Sequence, residues 1–261
     1  MNVVVCIKQV PGTTEVKIDA KTNTLSRQGV KAIINPFDMY AVEEGIRLKE
    51  RFGGKVTVLT MGPPQAEEAL RETLSLGVDD VILLTDRLFA GSDTLATAYA
   101  LSKAVAKIGA CDLMICGKQT FDGDTGQVGP ELAQRLGLPF VAYVSKVEEV
   151  ANGRMKVQRM VEDGHEQIDM PLPGVITVVK EINVPRMPSL RGLSKSKSYK
   201  IPHWTAAELG INEKEVGLAG SPTRVVKVFY PQRMQKAEIF KGSPEEQVTQ
   251  LLDKLQEAKL I

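Results

Sequence analysis

Residues suited to side-chain or metal catalysis are scarce in this sequence. Among its 261 residues are only three cysteines and two histidines. Cys6, Cys111 and Cys116 are odd in number, and two of them lie in apolar runs, which favours free thiols in a reducing cytoplasm over disulfides. His165 and His203 are far from any cysteine pair, so no metal-binding spacing is found. There is also no G-x-S-x-G elbow and no Cys/His pair, and no catalytic residue is predicted.

Excess charge and aromatic residues are also lacking. Lys and Arg number 33 against 32 Asp and Glu, and aromatic residues make up 5% of the chain. This balance gives no reason to expect nucleic-acid binding. No apolar run approaches the roughly 20 residues that span a bilayer, so no membrane insertion is expected. The first residues, MNVVVCIK, lack the features of a signal peptide and predict a strand in a cytoplasmic protein.

The first half of the chain alternates short apolar runs with helical patterns. Buried strands are predicted at residues 3–7, 56–61, 81–84 and 113–116. Helix starts are predicted at Asn35-Pro36 with Asn35 as N-cap, at Pro64, at Ser92 and near Thr125. This repetition predicts a doubly wound α/β fold, with a mainly parallel sheet and helices on both faces.

The second half begins with a different pattern. Short strand-like runs between about residues 144 and 170 are separated by Asn152-Gly153 and Asp163-Gly164, which are strong hairpin-turn dipeptides. They predict a small antiparallel meander, after which residues 175–179 return to the main sheet. Residues 185–202 are rich in Pro, Ser, Lys and Arg, and predict a loop.

The last segment predicts an arm that ends in a helix. Ser243-Pro-Glu-Glu246 is a capping-box start, and an apolar stripe from Val248 to Leu255 follows. The stripe could pack on its own domain or dock on a partner. We therefore divide the chain into an α/β domain, residues 1–229, and a C-terminal arm, residues 230–261.

The strongest candidate binding element is a glycine-rich stretch that follows the fourth predicted strand. It reads GKQTFDGDTGQVGP over residues 117–130. Its glycines would let a ligand approach the backbone, and the helix that follows would offer N–H groups to a phosphate. Asp122 and Asp124 could accept hydrogen bonds from sugar hydroxyls. The stretch is neither a G-x-G-x-x-G motif nor a Walker A loop, and a plain glycine-rich turn with an aspartate cap is the alternative.

Three further turns join a strand or extended segment to a helix. They are Asn35-Pro-Phe-Asp38, Met61-Gly-Pro-Pro64 and Gly91-Ser-Asp-Thr94. In the last of them, Ser92 or Asp93 could act only as a helix cap. Ligands of doubly wound sheets bind at the carboxyl ends of the strands. The convergence of four such turns therefore predicts one shared site.

Several segments, in order along nearly the whole chain, resemble the beta subunit of electron-transferring flavoproteins. The segments are CIKQV (6–10), NPFD (35–38), AVEE (41–44), MGP (61–63), GKQ (117–119) with residues 122–129, NVPR (183–186) with SL (189–190), and GSPT (220–223). The resemblance implies an adenine-nucleotide-binding α/β domain of the adenine-nucleotide alpha-hydrolase (HUP-like) kind. It also implies a C-terminal arm that embraces an alpha subunit.

The family resemblance also implies a cofactor. Ordinary beta subunits hold a structural AMP, whereas electron-bifurcating ones hold an FAD that accepts hydride from NADH. The Val-Gly-Pro ending of the glycine-rich turn and the 86–94 segment resemble the bifurcating type, so FAD is implied, with AMP as the alternative. The cofactor-binding residues carried over by motif are Cys6, Asn35, Asp38, Met61, Asp93, Thr94, Thr97, Asp122, Asp124, Thr125, Gly126, Gln127, Val128 and Gly129.

The implied partners are an alpha subunit, ferredoxin or flavodoxin, and a flavin dehydrogenase of the acyl-CoA or 2-hydroxy-acid type. Residues 183–200 resemble a dehydrogenase-docking loop, in which Pro185, Arg186 and Leu190 would be contacts. We expect an exposed Leu190 to enter an apolar pocket while Arg186 and Arg191 meet an acidic rim. Two other functions stay open at this point: an electron-carrier subunit with AMP, and a stand-alone nucleotide-binding sensor.

Overall fold

The computed structural model describes residues 1–12, 17–19, 24–26, 31–226 and 237–261. The strands are β1 (Asn2–Cys6), β2 (Gln9–Pro11), β3 (Lys17–Asp19), β4 (Thr24–Ser26), β5 (Ala32–Ile34), β6 (Lys55–Met61), β7 (Asp80–Leu84), β8 (Leu113–Gly117), β9 (Phe140–Ala151), β10 (Arg154–Val161), β11 (Gly164–Pro171), β12 (Gly174–Val178) and β13 (His203–Trp204). The helices are α1 (Pro36–Phe52), α2 (Glu67–Leu76), α3 (Thr94–Ile108), α4 (Val128–Leu136), α5 (Leu190–Ser198), α6 (Gly217–Gly220) and α7 (Pro244–Glu257).

The main sheet has the strand order β11-β10-β9-β12-β8-β1-β6-β7-β13. Its centre is parallel, from β12 through β13. From β1 the chain proceeds through α1 to β6 and through α2 to β7, and α3 then returns it to β8 on the other side of β1. The strand order therefore reverses between β1 and β8, which confirms the predicted doubly wound fold. Such a reversal opens a ligand crevice at the carboxyl ends of the two strands.

Alternate residues of β1 enter two separate hydrophobic cores. Val3 and Val5 pack with residues of α1 and α2, whereas Val4 and Cys6 pack with residues of α3 and α4. Successive side chains of a strand point to opposite faces of its sheet. Both faces of this strand are therefore covered by helices, and the position of its carboxyl end is fixed from either side.

The predicted antiparallel meander is present as an extension of the main sheet. β10 pairs antiparallel with both β9 and β11, while the first part of β9 pairs parallel with β12. The pairing register of β9 with β12 shifts beside Tyr143, whose φ is 59°. At the β9–β10 turn, Asn152 and Gly153 have φ values of 53° and 70°, as a hairpin turn of this dipeptide requires. β12 returns between β8 and β9, as predicted.

The prediction of an uninterrupted loop over residues 185–202 is wrong, because α5 begins at Leu190. Ser189 is its N-cap, and its hydroxyl oxygen accepts a hydrogen bond of 2.9 Å from the Gly192 N–H. A side chain at Gly192 would collide with the backbone of Ser75 in α2. The close contact with α2 stabilises a helix that its Ser- and Lys-rich sequence does not predict.

Three predicted helix starts are also displaced. α2 begins at Glu67, after a 3-10 turn at Pro64–Ala66. α4 begins at Val128 and not near Thr125, because Asp124 and Gly126 have φ values of 53° and 63°, which no α-helix accommodates. The N-cap of α3 is Asp93, which accepts from the Ala96 N–H at 3.1 Å, while the Ser92 hydroxyl accepts from the Gly217 N–H at 2.8 Å.

The chain divides into two units, Met1–Val226 and Lys227–Ile261. In the second unit, Ser243 and Glu246 form the predicted capping box at the start of α7. Val248, Leu251 and Leu252 of this helix are each about half exposed. Residues 230–236 of the predicted arm lie outside the described residues, and its role stays a prediction.

Candidate functional site

A buried aspartate joins helix α1 to the two strands of the crevice. Asp38 is 5% exposed, and its carboxylate accepts hydrogen bonds from the Lys8 N–H at 2.7 Å and the Gly117 N–H at 3.2 Å. Burial raises its pKa to about 7, although the hydrogen bonds from Lys8, Asn35 and Gly117 lower it. Lys8 follows β1 and Gly117 ends β8, so Asp38 fixes the floor of the crevice.

Asn35 does not cap α1, although it stands at the N-cap position. Its amide is fully buried and reaches the glycine-rich turn, where Nδ2 donates to the Gln119 carbonyl at 2.9 Å and Oδ1 accepts from the Phe121 N–H at 3.0 Å. Asn35 therefore occupies the predicted N-cap position, with Pro36 opening the helix, but its side chain makes no capping hydrogen bond. Asn35 instead stabilises the start of the turn, because both ends of its amide are used within the chain.

The glycine-rich turn lies on the surface of the crevice. Residues Asp122 to Thr125 are exposed, and Gly126 has the positive φ that lets the backbone reverse before α4. Gly129, by contrast, is buried, and a Cβ there would lie 2.6 Å from Thr177 Cγ2 of β12. Gly129 thus allows close packing of α4 on the sheet. The N–H groups at the start of α4 have no partner within the helix and are suited to bind an anion.

Lys8 is a site residue that the sequence analysis missed. Its ammonium group lies 2.8 Å and 2.9 Å from the two carboxylate oxygens of Asp122. Burial raises the pKa of Asp122, but the Lys8 contact outweighs it and the net direction is downward. The available signal was a charged residue directly after a buried strand. The pair places a cation beside the turn, where a phosphate would need one.

Cys6 and Met61 end the neighbouring strands β1 and β6 at the same edge of the sheet. Met61 is half-buried, but the Cys6 thiol lies in the core on the α3 and α4 side, next to Cys116. Its hydrogen bond with Cys116, together with burial, raises the pKa of the Cys6 thiol well above its ordinary value. Cys6 therefore contributes the position of its strand and not a reactive thiol.

The start of α3 contacts the start of α4. The Thr94 hydroxyl lies 3.2 Å from Gln127 Oε1 and 3.1 Å from Glu131 Oε1. Asp93 is occupied within the chain, since its second oxygen accepts from the Thr223 N–H and hydroxyl at 3.0 Å and 2.8 Å. Thr97 is half-buried one turn further along. Thr94 thus links the 91–94 turn to the glycine-rich stretch. Asp93 instead binds residues 221–223 to the start of α3.

Comparisons with known proteins show the family of this chain. A family model described as electron transfer flavoprotein domain matches residues 22–209. The electron transfer flavoprotein subunit beta of Thermoanaerobacterium thermosaccharolyticum is 50% identical over 262 residues, covering 100% of both chains. This chain belongs to the electron transfer flavoprotein family. It is a beta-type subunit, and the beta designation implies an alpha subunit as partner.

Two other relatives of this beta subunit carry more specific names. The caffeyl-CoA reductase-Etf complex subunit CarD of Acetobacterium woodii is 43% identical over 263 residues, covering 100% of both chains. Protein FixA of Azotobacter vinelandii is 48% identical over 249 residues, which are 93% of this chain and 89% of the relative.

The predicted docking segment of the beta subunit is fixed to α1 by ion pairs. Arg186 lies 2.8 Å from Glu43 and 2.6 Å from Glu50, and Asn183 donates to Glu44 at 3.0 Å. Burial raises the pKa of Glu43, but its bonds to Arg186 and Arg47 outweigh this and lower it. Arg186 is therefore paired within the chain, and its contact with an acidic rim of the dehydrogenase stays a prediction. Leu190 is 88% exposed, so it is not a core residue of this chain.

Two surface clefts lie away from the crevice. One of about 390 Å³ is lined by Ala142, Tyr143, Arg159, Met160, Val161 and Glu162, and one of about 320 Å³ by Glu44, Arg47, Leu48, Arg51, Lys146, Val147 and Ile182. Neither includes a predicted cofactor-binding residue. Over the described ranges, no cluster of His, Cys, Asp and Glu is suited to a metal ion. Across the same part of the chain, every helix is too short or too polar to cross a membrane.

Proposed function

We propose that this beta subunit binds FAD in the crevice between β1 and β8, as part of a cytoplasmic electron-bifurcating complex. The complex would take hydride from NADH and deliver electrons to ferredoxin or flavodoxin and, through an FAD of the alpha subunit, to a flavin dehydrogenase. Bound there, the flavin would supply the hydride and electron chemistry. The stand-alone sensor hypothesis is set aside, because the chain is a beta-type subunit.

The convergence of the predicted segments on one edge of the sheet carries this proposal. Asp38 and Asn35 hold the ends of β1 and β8 and the glycine-rich turn, and Thr94 joins the α3 segment to that turn. The exposed turn and the N-terminus of α4 would receive the pyrophosphate, with Lys8 as the nearby cation. The α3 segment and the turn would together hold a dinucleotide. AMP would occupy only part of this site.

Counting the released nucleotides distinguishes FAD from AMP. We expect the purified heterodimer to release two FAD per alpha-beta pair on denaturation, as measured by chromatography against standards. One FAD and one AMP would contradict the bifurcating proposal and support the carrier subunit with structural AMP.

A substitution in the glycine-rich turn tests whether one of these nucleotides is bound by the beta subunit. Gly126→Val forces a β-branched residue into a positive φ within the exposed turn, so we expect the beta-site nucleotide to fall below half occupancy. The alpha-site FAD should remain. Equal retention of both nucleotides would place the site elsewhere.

We also propose that α7 and the preceding segment contact the alpha subunit. The capping box makes α7 a well-defined helix, and its apolar stripe is half exposed. An exposed apolar stripe on a capped helix is suited to a protein partner. This proposal concerns a second unit of the chain and is independent of the cofactor.

Leu190→Ala is expected to weaken binding of the flavin dehydrogenase by about 1–3 kcal/mol, as loss of an apolar anchor would. Val184 and Met187, which precede it, are also exposed and would extend the contact. Because Leu190 is exposed in this chain, nucleotide content and the unfolding midpoint should stay at the wild-type values. The measurement is dehydrogenase affinity by calorimetry, with unfolding curves in parallel.

Arg186→Ala provides the matched control. It removes the ion pairs to Glu50 and to the buried Glu43, so we expect a loss of about 1–3 kcal/mol in the free energy of unfolding. Unchanged dehydrogenase affinity in Leu190→Ala, or a stability loss as large as that of Arg186→Ala, would refute the anchoring role.

A further inference from the structure

Three oxygen atoms meet where the start of α3 contacts the start of α4. The Thr94 hydroxyl oxygen lies within 3.2 Å of both Gln127 Oε1 and Glu131 Oε1. A hydroxyl carries one proton, while an amide oxygen and an ionised carboxylate carry none. With Glu131 ionised, Thr94 can donate to only one of its two neighbours, and the other contact joins two acceptors.

Two arrangements satisfy these three side chains. If Glu131 is protonated, it donates to Thr94, and Thr94 donates to Gln127 Oε1. If Glu131 is ionised, Thr94 donates to it, and the Gln127 amide must turn over so that its nitrogen donates to Thr94. The other half of the amide then faces outward. Gln127 is exposed, so the protonation of Glu131 changes what this residue offers a ligand.

The surroundings of Glu131 favour the protonated arrangement. Its Oε2 is buried and has no hydrogen-bond partner among the residues that the structure describes. Burial and the Asp93 carboxylate of α3 raise its pKa, while the Thr94 hydrogen bond and Arg135 of α4 lower it, and the net direction is upward. Arg135 is also shared with Glu215, at 3.8 Å, and with the Tyr99 ring.

We propose that Glu131 is a positioning residue whose proton decides whether Gln127 presents its amide nitrogen or its amide oxygen to the nucleotide crevice. The inference rests on the nucleotide-binding function proposed above, because Gln127 belongs to the glycine-rich turn. Protonated Glu131 leaves the nitrogen of Gln127 as a donor for phosphate or carbonyl oxygens. At a pH where Glu131 is ionised in the free protein, nucleotide binding therefore takes up a proton from solvent at Glu131, and affinity falls as the pH rises.

The test measures proton uptake on nucleotide binding. The heterodimer is freed of nucleotide and titrated with FAD, and separately with AMP, by calorimetry in two buffers of different protonation enthalpy. The Gly126→Val heterodimer, in which the beta site is weakened, supplies the background that is subtracted. Asp38, whose pKa burial also raises, is retained throughout, so differences between variants isolate Glu131.

Glu131→Gln carries an amide N–H that can donate to Thr94 at every pH. We expect this variant to lose a substantial part of the wild-type proton uptake, roughly half a proton near the Glu131 midpoint. Its affinity at alkaline pH should exceed that of the wild type by about threefold or more. Thr94→Val, which breaks the connection, should lose the same uptake, whereas Thr94→Ser should keep it. Glu213→Gln, which removes an exposed carboxylate, is the matched control and should behave as the wild type.

The outcomes separate the two levels of the proposal. Equal proton uptake in the wild type, Glu131→Gln and Thr94→Val, with nucleotide still bound, would overturn the role of Glu131 and leave the proposed function intact. Binding of neither FAD nor AMP above the Gly126→Val background would remove the proposed function, and this inference with it.

Discussion

Gly117→Ala is expected to empty the beta-site nucleotide and to lower the free energy of unfolding by about 1–3 kcal/mol. A Cβ at Gly117 would lie 2.8 Å from the Phe37 carbonyl carbon and 2.9 Å from the Asp38 nitrogen, and it would press on the Asp38 carboxylate. Two of these three atoms are backbone at the start of α1 and cannot turn aside. Relief requires α1 and the end of β8 to separate, which displaces the floor of the crevice.

Gly123→Ala is the control, because a Cβ there meets only the Thr120 hydroxyl at 3.5 Å. Its unfolding midpoint should match that of the wild type. The measurements are urea unfolding and nucleotide content after gel filtration. If Gly117→Ala retained both stability and nucleotide, the close approach of α1 to β8 would have no part in forming the site.

The elements that depend on local pattern could be predicted from the sequence. Apolar runs predict the strands of the sheet, and Asn152-Gly153 predicts the hairpin because only a few residue types accept the positive φ of its turn. The Ser243 capping box likewise acts within a single helical turn. In each case the residues that determine the element lie within the element itself.

The interactions that build the site connect distant parts of the chain. Asn35-Pro36 reads as a helix cap, yet the Asn35 amide bonds residues 84 and 86 positions away. Arg186 appears as a free charge in a loop, yet its partner Glu43 is 143 positions away. A side chain with both a local and a remote partner available cannot be assigned from a local pattern, because the remote partner is brought close only by the fold.

The family resemblance indicated which segments form the candidate site, but not which of their residues support the crevice and which would contact the ligand. Of the residues that it implied, Asp38 and Asn35 are occupied in holding the crevice, and Cys6 points into the core. Lys8, absent from the implied set, forms an ion pair with Asp122 of the turn. Motifs therefore predicted a site at the carboxyl edge of the sheet, where the structure brings the predicted segments together, while the contacts that these residues make within the chain were visible only in the structure.

The stability of the chain is expected to decrease between pH 5 and pH 7 because of Asp38. Its pKa is raised to about 7 by burial, whereas an unfolded aspartate has a pKa of about 4. Between these values the folded state keeps a proton that the unfolded state has released, so stability falls with rising pH and levels off above pH 7. At about 1.4 kcal/mol per pH unit, Asp38 lowers the free energy of unfolding by at most about 3 kcal/mol over this window.

Asp38→Asn isolates this contribution. Urea unfolding of the full chain at pH 5, 6, 7 and 8 should show a shallower decrease for the variant than for the wild type. The variant should also be less stable at pH 5, since an amide has one oxygen where two N–H groups, of Lys8 and Gly117, need acceptors. Asp112→Asn removes an exposed carboxylate that accepts from the Asn2 N–H at 2.7 Å, at the opposite edge of the sheet. The free energy of unfolding of this control should fall with pH as steeply as that of the wild type. An equal pH dependence in all three proteins would contradict the prediction. It would show that Asp38 is ionised over the whole window, because its two N–H donors outweigh its burial.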